Sequence, residues 1–261
     1  MLAVDAGLEL DRAERDPRPA EIGALAVGVA ASPEARAHQA AAQVDTGTFA
    51  IESLIDNPPP KWLAAQPLDG QALGFDPWLH TIAEAEALRA AVEKAGGRPF
   101  AMEENPVDAI WADQPAAPAE KIEIHPIGFA GELAKDKIAR LAAKIAAGGA
   151  DCAVLTDPSS LAWAFNIRGG DVPHTPLALG FAILPADGLP LVFLSRAKLT
   201  METEAYLTQL ATILEPGELE GRLAALAAAG SRIGLDPALA AEKLRMVVEA
   251  SGGTLVRLDD P

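Results

Sequence analysis

The stretch Trp163-Ala-Phe-Asn166-Ile-Arg168-Gly169-Gly170-Asp171-Val-Pro173-His174-Thr-Pro176-Leu177 decides how the chain is read. Its apolar start closes a short helix. Gly169 and Gly170 permit backbone angles closed to other residues. Pro173 and Pro176 fix their own angles and hold the residue before each of them extended, on the way into a strand. Arg168, Asp171 and His174 ride on this constrained backbone.

Working outward, helix and strand signals alternate. Upstream, residues 129–147 read as one long helix, with Leu133, Ile138, Leu141 and Ile145 near one face. Gly148-Gly149 stops it, residues 151–155 form an apolar strand, and Asp157 caps the next helix with Pro158 in its first turn. Downstream, residues 178–184 and 191–194 form a hairpin around Asp187-Gly188. Helices near 201–207, 218–229 and 237–250 then alternate with strands 211–214, 232–235 and 254–258. Residues 113–128 carry Pro115, Pro118 and Pro126 among small and charged residues and read as a linker.

The half before the linker repeats part of this plan. Leu73-Gly-Phe-Asp76-Pro77 precedes a helix, Gly96-Gly97, a strand and Asn105-Pro106; Ile233-Gly-Leu-Asp236-Pro237 precedes a helix, Gly252-Gly253, a strand and Asp260-Pro261. The first of these helices opens with Thr81 and Glu84, a capping box. An ordered set of this kind predicts two domains of one fold. Residues 1–37 show no convincing period, apart from an alanine-rich helical stretch over 34–44, and are expected to be poorly ordered. The predicted organisation is therefore a partial first domain over 38–112, a linker over 113–128 and a second domain over 129–261.

Composition narrows the function classes. Lys and Arg number 21 against 37 Asp and Glu, a formal net charge of −16. A nucleic-acid partner or an anionic membrane surface is not expected of such a chain. No stretch is long enough to span a bilayer, and the ten apolar residues 22–31 follow an acidic rather than a basic segment, so cytoplasm is the default. A lone Cys152 in an apolar strand cannot form an internal disulfide and reads as a small core residue.

The four histidines, His38, His80, His125 and His174, show no metal-binding helical spacing. Gly169-Gly170 follows a helix rather than opening one, so it is not a phosphate loop. Ser159 and Ser160 beside Asp157 read as helix-start residues, as do Asp76 and Asp236. The one candidate constellation is the turn itself. Arg168 could bind a carboxylate there, and Asp171 could orient the His174 ring. The competing reading is a structural turn, with Arg168 and Asp171 hydrogen-bonded to backbone.

Asn166-Ile-Arg-Gly-Gly-Asp-Val-Pro-His-Thr-Pro176 resembles the second-domain turn of aminopeptidase P, the Xaa-Pro aminopeptidase family. Asp56-Asn-Pro-Pro-Pro-Lys-Trp62, Gly74-Phe-Asp-Pro-Trp-Leu-His80 and Asn105-Pro-Val-Asp-Ala-Ile-Trp-Ala-Asp113 resemble it too, in the family order. Together they cover residues from about 40 to 261 and look closest to the long, three-domain form. The resemblance implies an α/β fold: two creatinase-like N-terminal domains, each a mixed sheet flanked by helices, the first incomplete here. It further implies a pita-bread catalytic domain that binds two manganese ions and removes the N-terminal residue preceding proline. No metal-ligand motif of that domain occurs in these 261 residues, so no catalytic or metal residue is carried over and no cofactor is expected in this chain. The resemblance thus points to a truncated or split sequence with an architectural or dimerising role, whose partner is a second copy or a separate catalytic chain. The alternative is an independent small-molecule binder or hydrolase acting through Arg168, Asp171 and His174.

Overall fold

The computed structural model describes residues 2–5, 45 and 51–260. The expected helix over 34–44 and His38 lie outside these residues. The chain divides into two compact units, residues 1–112 and 113–261.

In the first unit, β1 (Leu2–Asp5), β2 (Ala72–Phe75) and β3 (Arg98–Ala101) form a sheet in that order, with β1 antiparallel and β3 parallel to β2. No apolar period in residues 1–37 announces β1. Pairing supplies the reason for it: the buried β2 has amide and carbonyl groups along both edges that need partners. Helix α1 (Pro59–Leu63) and helix α2 (Ile82–Lys94) cover this unit. The Thr81–Glu84 capping box is formed in both directions. Leu63, Leu73, Leu88 and Val92 make the core between them. A single helical turn, α3 (Pro106–Ile110), follows and is capped by Asn105.

The second unit is built on a six-stranded mixed sheet. Its strands are β5 (Cys152–Leu155), β7 (Phe181–Pro185), β8 (Leu191–Phe193), β9 (Thr212–Leu214), β10 (Arg232–Leu235) and β11 (Thr254–Arg257), in the order β11-β10-β5-β7-β8-β9. β5 runs parallel to β10 and antiparallel to β7, and β8 is antiparallel to β7 in turn, so β7 alone opposes the other strands of this sheet. Each residue of β5 is buried, as a strand covered on both faces requires. Helices α5 (Ala134–Ala147), α6 (Pro158–Ala164), α7 (Met201–Leu207), α8 (Leu219–Ala228) and α9 (Glu242–Ala250) flank it. Leu141, Ile145, Leu155, Phe165 and Leu184 lie at the centre of the packing. A two-stranded ribbon of β4 (Glu123–Ile124) and β6 (Ile167–Arg168) runs beside the main sheet.

Three expectations shift. The long helix over 129–147 is two helices, α4 (Ile127–Ala130) and α5, because Gly131 adopts φ +73° and Leu133 is extended. The last helix begins at Glu242, not at 237, since Asp236 first closes a turn of its own on Ala238. Residues 113–128 sit within the second unit: Ile122 is fully buried, its amide donates to the Lys198 carbonyl at 2.9 Å, and β4 follows at once.

The sequence repeat is a structural one. β2–α2–β3 and β10–α9–β11 are both parallel strand–helix–strand units. In each, the second carboxylate oxygen of the Asp-Pro aspartate reaches beyond the last strand. Asp76 accepts from the Asn105 amide group at 2.8 Å, and Asp236 accepts from the Asp260 backbone amide at 2.8 Å. The first oxygen of each closes a local turn, on the amides of Trp78 and Ala238, both at 2.8 Å. The glycine stops also match: Gly96 and Gly252 take φ of +79° and +75°, and Gly97 and Gly253 donate back to Val92 and Val248 at 2.9 Å.

Candidate functional site

The turn is assembled from its two ends. Asp157 caps α6 by accepting from the Ser159 and Ser160 amides. The helix ends at Phe165, and Asn166 adopts φ +50°, an angle asparagine tolerates better than most residues. β6 then passes Arg168 along β4. Gly169 is required by close approach: a Cβ there would lie 2.8–2.9 Å from atoms of Ala178. At the tip, the Thr175 amide donates to the Val172 carbonyl at 3.1 Å. Pro173 occupies the second position and His174, at φ +62°, the third, which is the pattern of a type II turn.

The three side chains go different ways. Asp171 is buried, and its carboxylate accepts from the Lys198 ammonium at 2.6 Å, the Leu179 amide at 2.7 Å and the Glu120 amide at 3.2 Å. Lys198, also buried, donates a second bond to the Leu179 carbonyl at 3.0 Å. The Arg168 guanidinium donates to the Ile167 carbonyl at 2.7 Å and the Ala162 carbonyl at 3.4 Å. His174 stays on the exposed tip. Asp171 therefore joins the turn to Lys198 and Glu120, not to the His174 ring.

A second buried cation supports the other end of the turn. Lys137, 2% exposed, donates to the Asn166 side-chain oxygen at 2.7 Å and the Trp163 carbonyl at 3.0 Å, with its ammonium 4.4 Å from the centre of the Trp163 ring. The Asn166 amide nitrogen donates to the Glu132 carbonyl at 2.9 Å. Burial holds the Lys137 ammonium below the usual lysine range, and nearby Arg168 and Arg140 push the same way against Glu132. Trp163 remains 40% exposed, with Arg140 on it as well, so it is a platform for cations more than a core anchor.

Elsewhere, burial pushes the Cys152 thiol up to about 11, as an inert core sulfur requires. His125 is lowered by burial and by the Arg168 and Lys137 cations. Among the described residues, no three or more His, Cys, Asp or Glu side chains converge on a point that could hold a metal ion. No helix among them is long and apolar enough to cross a membrane.

A family model for the creatinase/prolidase N-terminal domain matches residues 113–261. The chain belongs to that family. It is also similar to the probable Xaa-Pro aminopeptidase P of Ajellomyces dermatitidis, 32% identical over 185 residues, covering 70% of this chain and 30% of that protein. The corresponding protein of Ajellomyces capsulatus is 34% identical over 173 residues, covering 65% of this chain and 27% of it. The chain thus spans less than a third of the length of these relatives. In fold it resembles the X-prolyl aminopeptidase of Caenorhabditis elegans, described as a cytosolic enzyme with a di-nuclear active site. That likeness has a TM-score of 0.74 at 23% identity, over 84% of this chain and 37% of that one.

The creatinase/prolidase N-terminal domain thus begins at 113 by sequence match and by structural division alike. Its turn is organised by two residues that the sequence reading did not single out. Lys198 had no visible signal, being 27 residues from Asp171. Lys137 had one: it stands on the same helical face as buried Ala134, Leu141 and Ile145, where an apolar residue is the rule. The described residues do not offer the donor set of a metal pair.

Proposed function

We propose that this chain is the scaffold portion of a cytoplasmic Xaa-Pro aminopeptidase, acting through architecture or dimerisation while other residues bind the two metal ions and cleave the X-Pro bond. The observation that carries this reading is the committed state of the candidate turn. A catalytic carboxylate must be free to take or give a proton. The Asp171 carboxylate is instead held by one ammonium and two backbone amides, and Arg168 is spent on carbonyls. The duplicated strand–helix–strand unit with its aspartate clamps supports the same reading, since both copies invest their carboxylates in backbone geometry. The partner in this proposal is a second copy or a catalytic chain, with no part for nucleic acid or membrane.

The test is direct. The purified chain, supplied with manganese and a peptide beginning X-Pro, is expected to release no N-terminal residue above the metal-only control. Turnover that is lost in His174→Ala would replace the proposal with the reading in which the turn itself is a site.

A further inference from the structure

A cavity of about 470 Å³ opens between the start of α5 and the end of α7, with Ile124 and His125 of the β4 segment in its lining. Its size is that of a small-molecule site. Ile124, Ile127, Leu133 and Leu210 supply an aliphatic wall. Ile127 and Leu133 are 50% and 45% exposed, so their apolar surface is available to a ligand.

The polar lining is nearly all committed. Both ends of the Asn166 amide are hydrogen-bonded, the Gln209 amide nitrogen donates to the Ala205 carbonyl at 3.1 Å, and the Tyr206 hydroxyl donates to the Phe165 carbonyl at 3.1 Å. The lining also carries the Lys135 ammonium, the His125 ring, 6.0 Å from the Phe129 ring, and a second N–H of the Gln209 amide. No carboxylate lines the cavity, although the chain carries 37 Asp and Glu. Leu133 caps α5 without a side-chain bond, so the positive end of that helix adds to the same field.

From this lining we infer that the cavity binds an apolar monocarboxylate, its aliphatic body against the leucine and isoleucine wall and its charge on Lys135 and His125. A neutral hydrophobe would cover Lys135 without pairing it, which is unfavourable. A phosphate would bring more charge than one full cation answers and would leave the apolar wall unfilled. The carboxylate has two sources, a free acid or the C-terminal residue of a peptide. This inference does not depend on the peptidase reading.

Isothermal titration of the full chain with N-acetyl-leucine and with N-acetyl-leucinamide tests it. The acid is expected to bind saturably, and the neutral amide at least about tenfold more weakly. Lys135→Gln is expected to bring the acid down to the level of the amide with the melting temperature unchanged. Lys144→Gln, on the same helix but outside the cavity, is expected to leave binding as it was. Acetyl-Ala-Ala-Leu separates the sources: tighter binding than N-acetyl-leucine assigns a peptide terminus, and equal or weaker binding assigns a free acid. Equal affinity for acid and amide, no saturation by either up to about 10 mM, or an unaltered acid affinity in Lys135→Gln would each overturn the inference.

Discussion

At the residue scale, three buried charges, Lys137, Asp171 and Lys198, hold the turn and the segments around it. The Lys198–Asp171 pair is fully buried, and the bonds from Glu120 and Leu179 complete the carboxylate's shell. Removing one member of such a pair leaves the other charged and unpaired in a poor solvent for it. Asp171→Asn, nearly equal in volume, is therefore expected to destabilise the second unit by about 3–5 kcal/mol in chemical denaturation. A change there within the ±0.5 kcal/mol usual for surface sites would show that the pair contributes no net stability. Cys152 illustrates the opposite use of burial. Its thiol, pushed up to about 11, carries about one thiolate per thousand molecules at pH 8. The folded chain is expected to leave a disulfide reagent such as DTNB unreacted at that pH and to yield one equivalent of thiol only after denaturation.

At the scale of elements, the aspartate clamp gives a reason for the Gly-x-Asp-Pro motif that follows both β2 and β10. Each carboxylate closes its own turn with one oxygen and fixes the segment beyond the last strand with the other. The clamps are equivalent in geometry but differ in partner, a side-chain amide in the first unit and a backbone amide in the second. Asp236→Ala removes both bonds and is expected to cost about 1–2 kcal/mol, seen as faster hydrogen exchange at the Ala238 and Asp260 amides while the first unit is unaffected. Loss of protection across the whole sheet would mean that the clamp also holds β10 and β11 together. The same scale shows why element boundaries were harder to read than element types. A run of helix-favouring residues over 129–147 gives one helical signal, yet Gly131 takes a left-handed angle and splits it. The pattern of apolar residues reports which face is buried and says little about where the backbone bends.

At the scale of the molecule, the second unit holds its own core, its own six-stranded sheet and the entire match to the creatinase/prolidase N-terminal domain. Its buried ion pair, its two-stranded ribbon and its cavity all lie within residues 113–261. Expressed alone, residues 113–261 are expected to unfold cooperatively, with a denaturation midpoint close to that of the second unit in the full chain. A fragment beginning at residue 129 removes Glu120, Ile122 and β4 and is expected to be markedly less stable. Equal stability of the two fragments would return residues 113–128 to the role of a linker.

The amino-acid sequence by itself determined the alternating helices and strands, the duplicated unit and the family likeness. Those properties are written in short-range spacing: apolar period, glycine stops, caps and turn prolines all act within a few residues of one another. The tertiary structure alone decided what each charged side chain of the turn does. Asp171 meets Lys198 across 27 residues, Lys137 meets Asn166 across 29, and His174 is left at the tip. Such pairings depend on how layers stack around β5, and a carboxylate carries no mark in the chain of which distant ammonium will reach it once water is excluded.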